Sequence, residues 1–112
     1  MKVAVIGSRS LIINNLEDYL PKETIEIVSG CAKGIDTVAN EYAKEHQIKL
    51  AEFLPEYKKF GKSAPLKRNI QIIKYSDYVL AFWDGISHGT KFTIDNCKKY
   101  NIPIKIIIIK NN

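Results

Sequence analysis

Cysteine is scarce and badly placed for cross-linking: Cys31 and Cys97 are the only two in 112 residues, with no Cys-x-x-Cys spacing and no histidine pair nearby. That distribution argues against a disulfide framework and a zinc site, and it fits a chain with free thiols. Long apolar runs are also missing, and none approaches the length a bilayer-spanning helix needs. Met1 leads almost directly into Val3-Ala4-Val5-Ile6, so neither a leader peptide nor a membrane anchor is expected, and the expected location is cytoplasmic. Neither the Gly-x-Gly-x-x-Gly dinucleotide fingerprint nor the Walker A pattern occurs, which leaves hydride transfer and P-loop hydrolysis of triphosphates without support. No cofactor and no metal is expected.

What is present is an ordinary globular composition, 46% hydrophobic and 26% charged, in a chain long enough for one real core. Residues 1–112 are therefore expected to form a single domain. The net charge of +5 favours anionic partners without choosing among them. Lys58, Lys59, Lys62, Lys67 and Arg68 concentrate it locally, interleaved with Tyr57 and Phe60. The plain reading of that run is a solvated loop and helix face; the alternative is a surface for nucleic acid.

Strand and helix patterns alternate along the chain. Residues 3–7 read as a strand, 11–20 as a helix with Ile12, Ile13, Leu16, Tyr19 and Leu20 at helical spacing, and 24–29 as a second strand. Ile35, Val38, Ala39, Tyr42 and Ala43 fall on one face of the next helix. Residues 48–54 read as a third strand, followed by a basic connection over 56–62. Ser63 is an expected N-cap, with Pro65 in the first turn of a helix that carries Leu66, Ile70 and Ile73 inward and stops near Ser76. Residues 78–83 read as strand four, 90–100 as a fourth helix and 103–109 as strand five. The β-branched run Ile106-Ile107-Ile108-Ile109 suggests a central or near-central strand.

Five strands joined by helices predict an α/β fold: a Rossmann-like three-layer αβα domain on a five-stranded parallel sheet, in the order 3-2-1-4-5. Ligands of such sheets bind beyond the carboxyl ends of the strands, where the strand order reverses. Three turns converge on that edge. Gly7-Ser8-Arg9 offers a close backbone approach, a hydroxyl and a guanidinium suited to a bidentate phosphate contact. Ser29-Gly30-x-x-x-Gly34-x-Asp36 opens a helix, and Asp36 suits either the helix's positive end or a ribose hydroxyl. Asp84-Gly85-x-Ser87-x-Gly89-Thr90 follows the continuous apolar run of strand four and combines loop amides with two hydroxyls. Asp84 reads either as a turn-former or as a carboxylate that meets a sugar hydroxyl or developing positive charge. Arg68 and Asn69, at the start of the third helix, should face the same crevice. His88 and His46 read as a loop residue and a helix-terminal residue. Phe82 and Trp83 both suit a core, with base stacking by Trp83 as the minor alternative.

These turns, in this order and spacing, resemble the SLOG superfamily, whose Rossmann-like domains include DNA-processing protein A and the "lonely guy" phosphoribohydrolases. The likeness is greatest to the small YspA/YpsA-like branch. It rests on Gly7-Ser8-Arg9, Ser29-Gly30-x-Ala32-x-Gly34-x-Asp36, Arg68-Asn69, Ser76-Asp77 and Trp83-Asp84-Gly85-x-Ser87-x-Gly89-Thr90. The resemblance implies the 3-2-1-4-5 sheet, a nucleotide pocket and a homodimer. The lonely-guy enzymes carry Pro-Gly-Gly-x-Gly-Thr-x-x-Glu, and their glutamate serves cleavage of the N-glycosidic bond. Thr93 stands at that position here, and a hydroxyl cannot stabilise an oxocarbenium-like centre as a carboxylate does.

Three functions follow in order of preference. The first is binding of a nucleotide or nucleotide-derived sugar phosphate. The second is hydrolysis of a nucleoside 5'-monophosphate, with Asp84 as the candidate catalytic carboxylate. The third is binding of single-stranded nucleic acid.

Overall fold

A computed structural model describes residues 1–110. Its strands are β1 (Lys2–Gly7), β2 (Glu26–Ser29), β3 (Lys49–Glu52), β4 (Tyr78–Trp83) and β5 (Ile104–Ile108). Its helices are α1 (Ile35–Glu45), the single turn α2 (Tyr57–Phe60), α3 (Ala64–Tyr75) and α4 (His88–Lys99). All strand pairs are parallel and the order is β3-β2-β1-β4-β5, as expected from the alternating pattern.

The period of two along β1 builds both cores at once. Val3 and Val5 turn to one face, where Ile27, Leu80 and Phe82 meet Ile35, Ala39 and Ala43 of α1. Ala4 and Ile6 turn to the other, where Val28, Val79 and Ala81 meet Ile72 and Ile73 of α3 and Ile94 and Cys97 of α4. β4 is shielded on both sides, which is why its sequence is apolar throughout rather than alternating. Tyr19 meets Phe82 edge-on at 5.3 Å between ring centres and extends the first core.

Four expectations fail locally. Residues 11–20 form no α-helix; a 3-10 turn at Leu16–Asp18 is the regular structure there. Leu11 and Leu16 plug the core from an irregular segment, while Ile12 is 82% exposed. Asn14 and Asn15, with β-branched Ile12 and Ile13 before them, are poor helix formers. The basic connection after β3 is not all loop, since it includes α2 and a 3-10 turn at Gly61–Ser63. β5 is an edge strand, not a central one, and Ile106 and Ile108 remain exposed there. In α3, Ile73 is buried as expected, but Ile72 joins it in the core while Leu66 stays at the surface.

Candidate functional site

The crossovers after β2, β3 and β4 return the N-termini of α1, α3 and α4 to the carboxyl edge of the sheet. A crevice of about 410 Å³ opens there, over the boundary between β1 and β4. Its floor is Ile6, Gly7 and Ser8 at the end of β1; Ala32 and Asp36 close one side, and the first turn of α4 closes another. The remaining wall comes from α3: Pro65, Arg68, Asn69 and Ile72 lie at spacings of three and four and so share one helix face, with Leu66 beside them.

Of the residues singled out in the sequence, Gly7, Ser8, Arg9, Asp36, Arg68, Asn69, Ser87, Gly89 and Thr90 line this crevice. Ser29, Gly30, Gly34, Asp84 and Gly85 stand behind it. Three of the glycines make room for protein atoms. A Cβ on Gly7 would lie 2.5 Å from both the Ile35 side chain and the Phe82 carbonyl. On Gly30 it would lie 2.5 Å from the Arg68 guanidinium and 2.8 Å from Asp36 Oδ2. On Gly34, at φ +75°, it would strike the carbonyl oxygens of Arg9 and Ser8 at 2.5 and 2.7 Å. Gly89 differs, because a Cβ there would meet nothing within 4 Å.

The N-terminus of α4 borders the crevice. Lys91 N–H makes the first helical bond, to Ser87 O, so the amides of His88, Gly89 and Thr90 have no partner within the helix. Thr90 is 7% exposed, and its hydroxyl makes no hydrogen bond with a described residue. Arg9 forms no hydrogen bond or ion pair with one either, although its field reaches Asp36. Ser8 Oγ accepts from Asp84 N–H at 3.3 Å, and, after the Ser87 hydroxyl and the amides of Ile86 and Ser87, its hydroxyl helps to lower the pKa of the Asp84 carboxyl. Thr93 is turned back on the helix, its hydroxyl bonding Gly89 O at 3.0 Å.

Arg68 and Asp36 form the deep end. Arg68 is 6% exposed and donates from Nε to Asn69 Oδ1 at 2.8 Å and, at 3.4 Å, to the Phe53 carbonyl. Asp36 accepts the Ala32 amide at 3.1 Å. Burial pushes its carboxyl above the ordinary value; that amide and the charges of Arg68 and Arg9 oppose the shift without reversing it. Asp36 is thus the carboxylate of this crevice.

Asp84 is committed to its own turn. Its Oδ1 accepts from the amides of Ile86 and Ser87 at 2.9 and 2.8 Å, and Oδ2 from the Ser87 hydroxyl at 2.7 Å. Led by the Ser87 hydroxyl, these bonds hold its carboxyl down at about 2. Ser87 occupies the N-cap position of α4. Trp83 is half-buried, and its indole N–H bonds the Ser87 carbonyl at 3.0 Å, tying the same turn to the sheet.

The apolar wall of Pro65, Leu66 and Ile72 escaped the reading of the sequence as a lining surface. Its signal was the helical spacing from Pro65 through Arg68 to Ile72 at an edge already assigned to the ligand. The tripeptide Gly61-Lys62-Ser63 mimics the end of a P-loop, but Glu56 stands where the first glycine would be. It forms a 3-10 turn ahead of α3, with Ser63 Oγ bonding the Phe60 carbonyl at 2.8 Å. Lys59 and Lys67 lie 5.2 and 6.0 Å from the Phe60 ring on this outer lip. Among the described residues, no cluster of histidine, cysteine, aspartate and glutamate is arranged to hold a metal ion, and no helix is long and apolar enough to cross a membrane.

No curated protein and no solved structure gives a significant match to the chain. The family model of DNA recombination-mediator protein A matches residues 1–56. That half contributes β1, β2, α1 and β3, and with them the Gly7–Arg9 and Ser29–Asp36 turns. The α3 wall and the α4 N-terminus lie beyond the match. With half its length matched and its sheet in the 3-2-1-4-5 order, the chain belongs to the DNA recombination-mediator protein A family, within the SLOG superfamily.

Proposed function

We propose that the crevice binds a nucleotide or a nucleotide-derived sugar phosphate. The phosphate would sit on the α4 N-terminus, held by the amides of Gly89 and Thr90, the Thr90 hydroxyl and the guanidinium of Arg9. One observation carries this reading: a helix N-terminus, an unbonded threonine hydroxyl and an uncommitted arginine line the same cavity. Asp36 would accept from a ribose hydroxyl, while Pro65 and Leu66 offer an apolar wall to the base. The volume of about 410 Å³ suits a small molecule.

Arg9→Ala removes a charge-assisted hydrogen bond of about 1.5–3 kcal/mol, a loss of roughly ten- to a hundredfold in affinity. Calorimetric titration with a nucleoside 5'-monophosphate measures it. Unchanged affinity in the variant would overturn the assignment.

A second reading, single-stranded nucleic acid, is favoured by the family's role in DNA recombination and by the basic lip of Lys58, Lys59, Lys62 and Lys67 beside the α3 wall. Binding through that lip would weaken steeply as salt rises. A gel shift at low salt that retains no oligonucleotide would remove it.

A further inference from the structure

Among the described residues, α1 is the only α-helix packed into the first core, through Ile35, Ala39 and Ala43. Residues 11–20 beside it form an irregular segment around the 3-10 turn at Leu16–Asp18. Between the two a groove of about 600 Å³ opens, and it shares no lining residue with the crevice. Ile13, Leu16 and Val38 give it an apolar floor, and Ile12 stands 82% exposed at its lip. Val38 and Tyr42, four residues apart, form one ridge of α1, with the Tyr42 ring 4.0 Å from that of His46.

The charge of this groove runs against that of the chain. The protein carries 17 lysines and arginines and a net charge of +5, yet none of those cations lines the groove, while Glu17, Glu41 and Glu45 do. None of the three carboxylates joins an ion pair among the described residues. Burial, and after it the charge of Glu17, pushes the Tyr42 hydroxyl above its ordinary value, so the carboxylate on the irregular wall acts on the aromatic ridge of α1. Acidic residues alone suit any solvated helix face. Here they flank an apolar floor, which water alone does not account for.

We propose that this groove seats a basic amphipathic helix of a partner protein. Its apolar side chains would fill the floor between Ile12 and Val38, and its flanking lysines or arginines would meet Glu17 on one bank and Glu41 and Glu45 on the other. A helix fits better than an extended strand, because no strand residue borders the groove and α1 offers it side-chain ridges of the kind helices pack into. A basic partner follows from the three unpaired carboxylates, which repel an acidic peptide and a nucleic-acid backbone alike. A second copy of this chain lacks the matching element, since α1, α3 and α4 each spend their apolar face on their own core. The proposal is independent of what the crevice binds.

Fluorescence anisotropy of the full chain with a labelled model peptide tests it. The probe is a leucine–lysine peptide patterned to gather its leucines on one helix face; the controls are the same composition in scrambled order and the same pattern with glutamate for lysine. The patterned peptide should bind at least about tenfold more tightly than either control, and less tightly as salt rises. Ile12→Lys and the double variant Glu41→Lys, Glu45→Lys should each weaken it by about tenfold or more. Both should keep the far-ultraviolet circular dichroism of the wild type, because all three side chains are exposed. Should the double variant misfold, Ile12→Lys alone carries the test. Lys58→Glu on the crevice lip should bind the peptide like the wild type. No saturable binding, equal binding of the scrambled peptide, or folded groove variants that bind undiminished would each overturn the proposal. So would self-association of the wild type in sedimentation velocity that Ile12→Lys disperses, since the groove would then belong to a second copy.

Discussion

Gly34 and Gly89 open two of the helices that border the crevice, and the structure gives them opposite reasons for lacking a side chain. Gly34 holds φ +75° and ψ −122°, a region that L-residues avoid, and its missing Cβ would press on two backbone carbonyl oxygens that cannot swing aside. Strain of this kind costs about 1–3 kcal/mol, and the carbonyl clash sets Gly34→Ala at about 3 kcal/mol or more. Unfolding entropy near 2.1 cal/mol/K per residue gives a chain of this length about 0.24 kcal/mol/K, so each kcal/mol moves Tm by about 4 °C. Gly34→Ala should therefore melt about 13 °C or more below the wild type. Gly89 sits in the first turn of α4, with open space where a Cβ would go. Alanine there should leave stability unchanged or raise it by up to about 1 kcal/mol through helix propensity, while its methyl intrudes on the proposed phosphate position. Thermal melts followed by circular dichroism, without ligand, measure the first effect, and calorimetric titration measures the second. Equal melting temperatures for Gly34→Ala and the wild type would refute the packing argument. A Gly89→Ala variant that binds like the wild type would refute the role given to the α4 opening.

Asp84 predicts a pH effect. Its carboxyl is held at about 2 against an ordinary 3.8, so its contribution is complete above about pH 4 and is lost as pH falls toward 2. Tm should drop across that window, and Asp84→Asn should flatten that part of the profile; an identical acid profile in the variant would contradict the turn assignment. If the chain does cleave nucleoside monophosphates, Asp36 rather than Asp84 is placed to act. Asp36→Asn should then abolish base release while Asp84→Asn retains it, and the reverse outcome would overturn that assignment.

Much of this was legible in the residues because the strongest signals were local. β4 ends where its apolar run meets Asp84, and Ser76 closes α3 where the periodicity stops. The convergence of Gly7–Arg9, Arg68 and Gly89–Thr90 followed from the strand order alone. What could not be read depended on partners distant in the chain. Residues 11–20 have a helical period, yet they reach the core from an irregular segment, with Leu11 and Leu16 buried and Ile13, Tyr19 and Leu20 packed against the cluster. The isoleucines of β5 fit any pleated strand, so they could not separate an edge position from a central one. Gly7, Gly30 and Gly34 looked like glycines cleared for a ligand, yet each is cleared for a protein atom contributed from elsewhere in the chain. The two roles for Asp84 differ only in where its oxygens point, and that direction is fixed by the turn it closes.

In the proposed function this crevice recognises a phosphate on a nucleoside. Its most direct test is paired calorimetric titration with a nucleoside 5'-monophosphate and the matching nucleoside. The nucleoside should bind at least about tenfold more weakly, since it forfeits the charged bond to Arg9 and the contacts at the α4 N-terminus. Equal affinities, or tighter binding of the nucleoside, would contradict it.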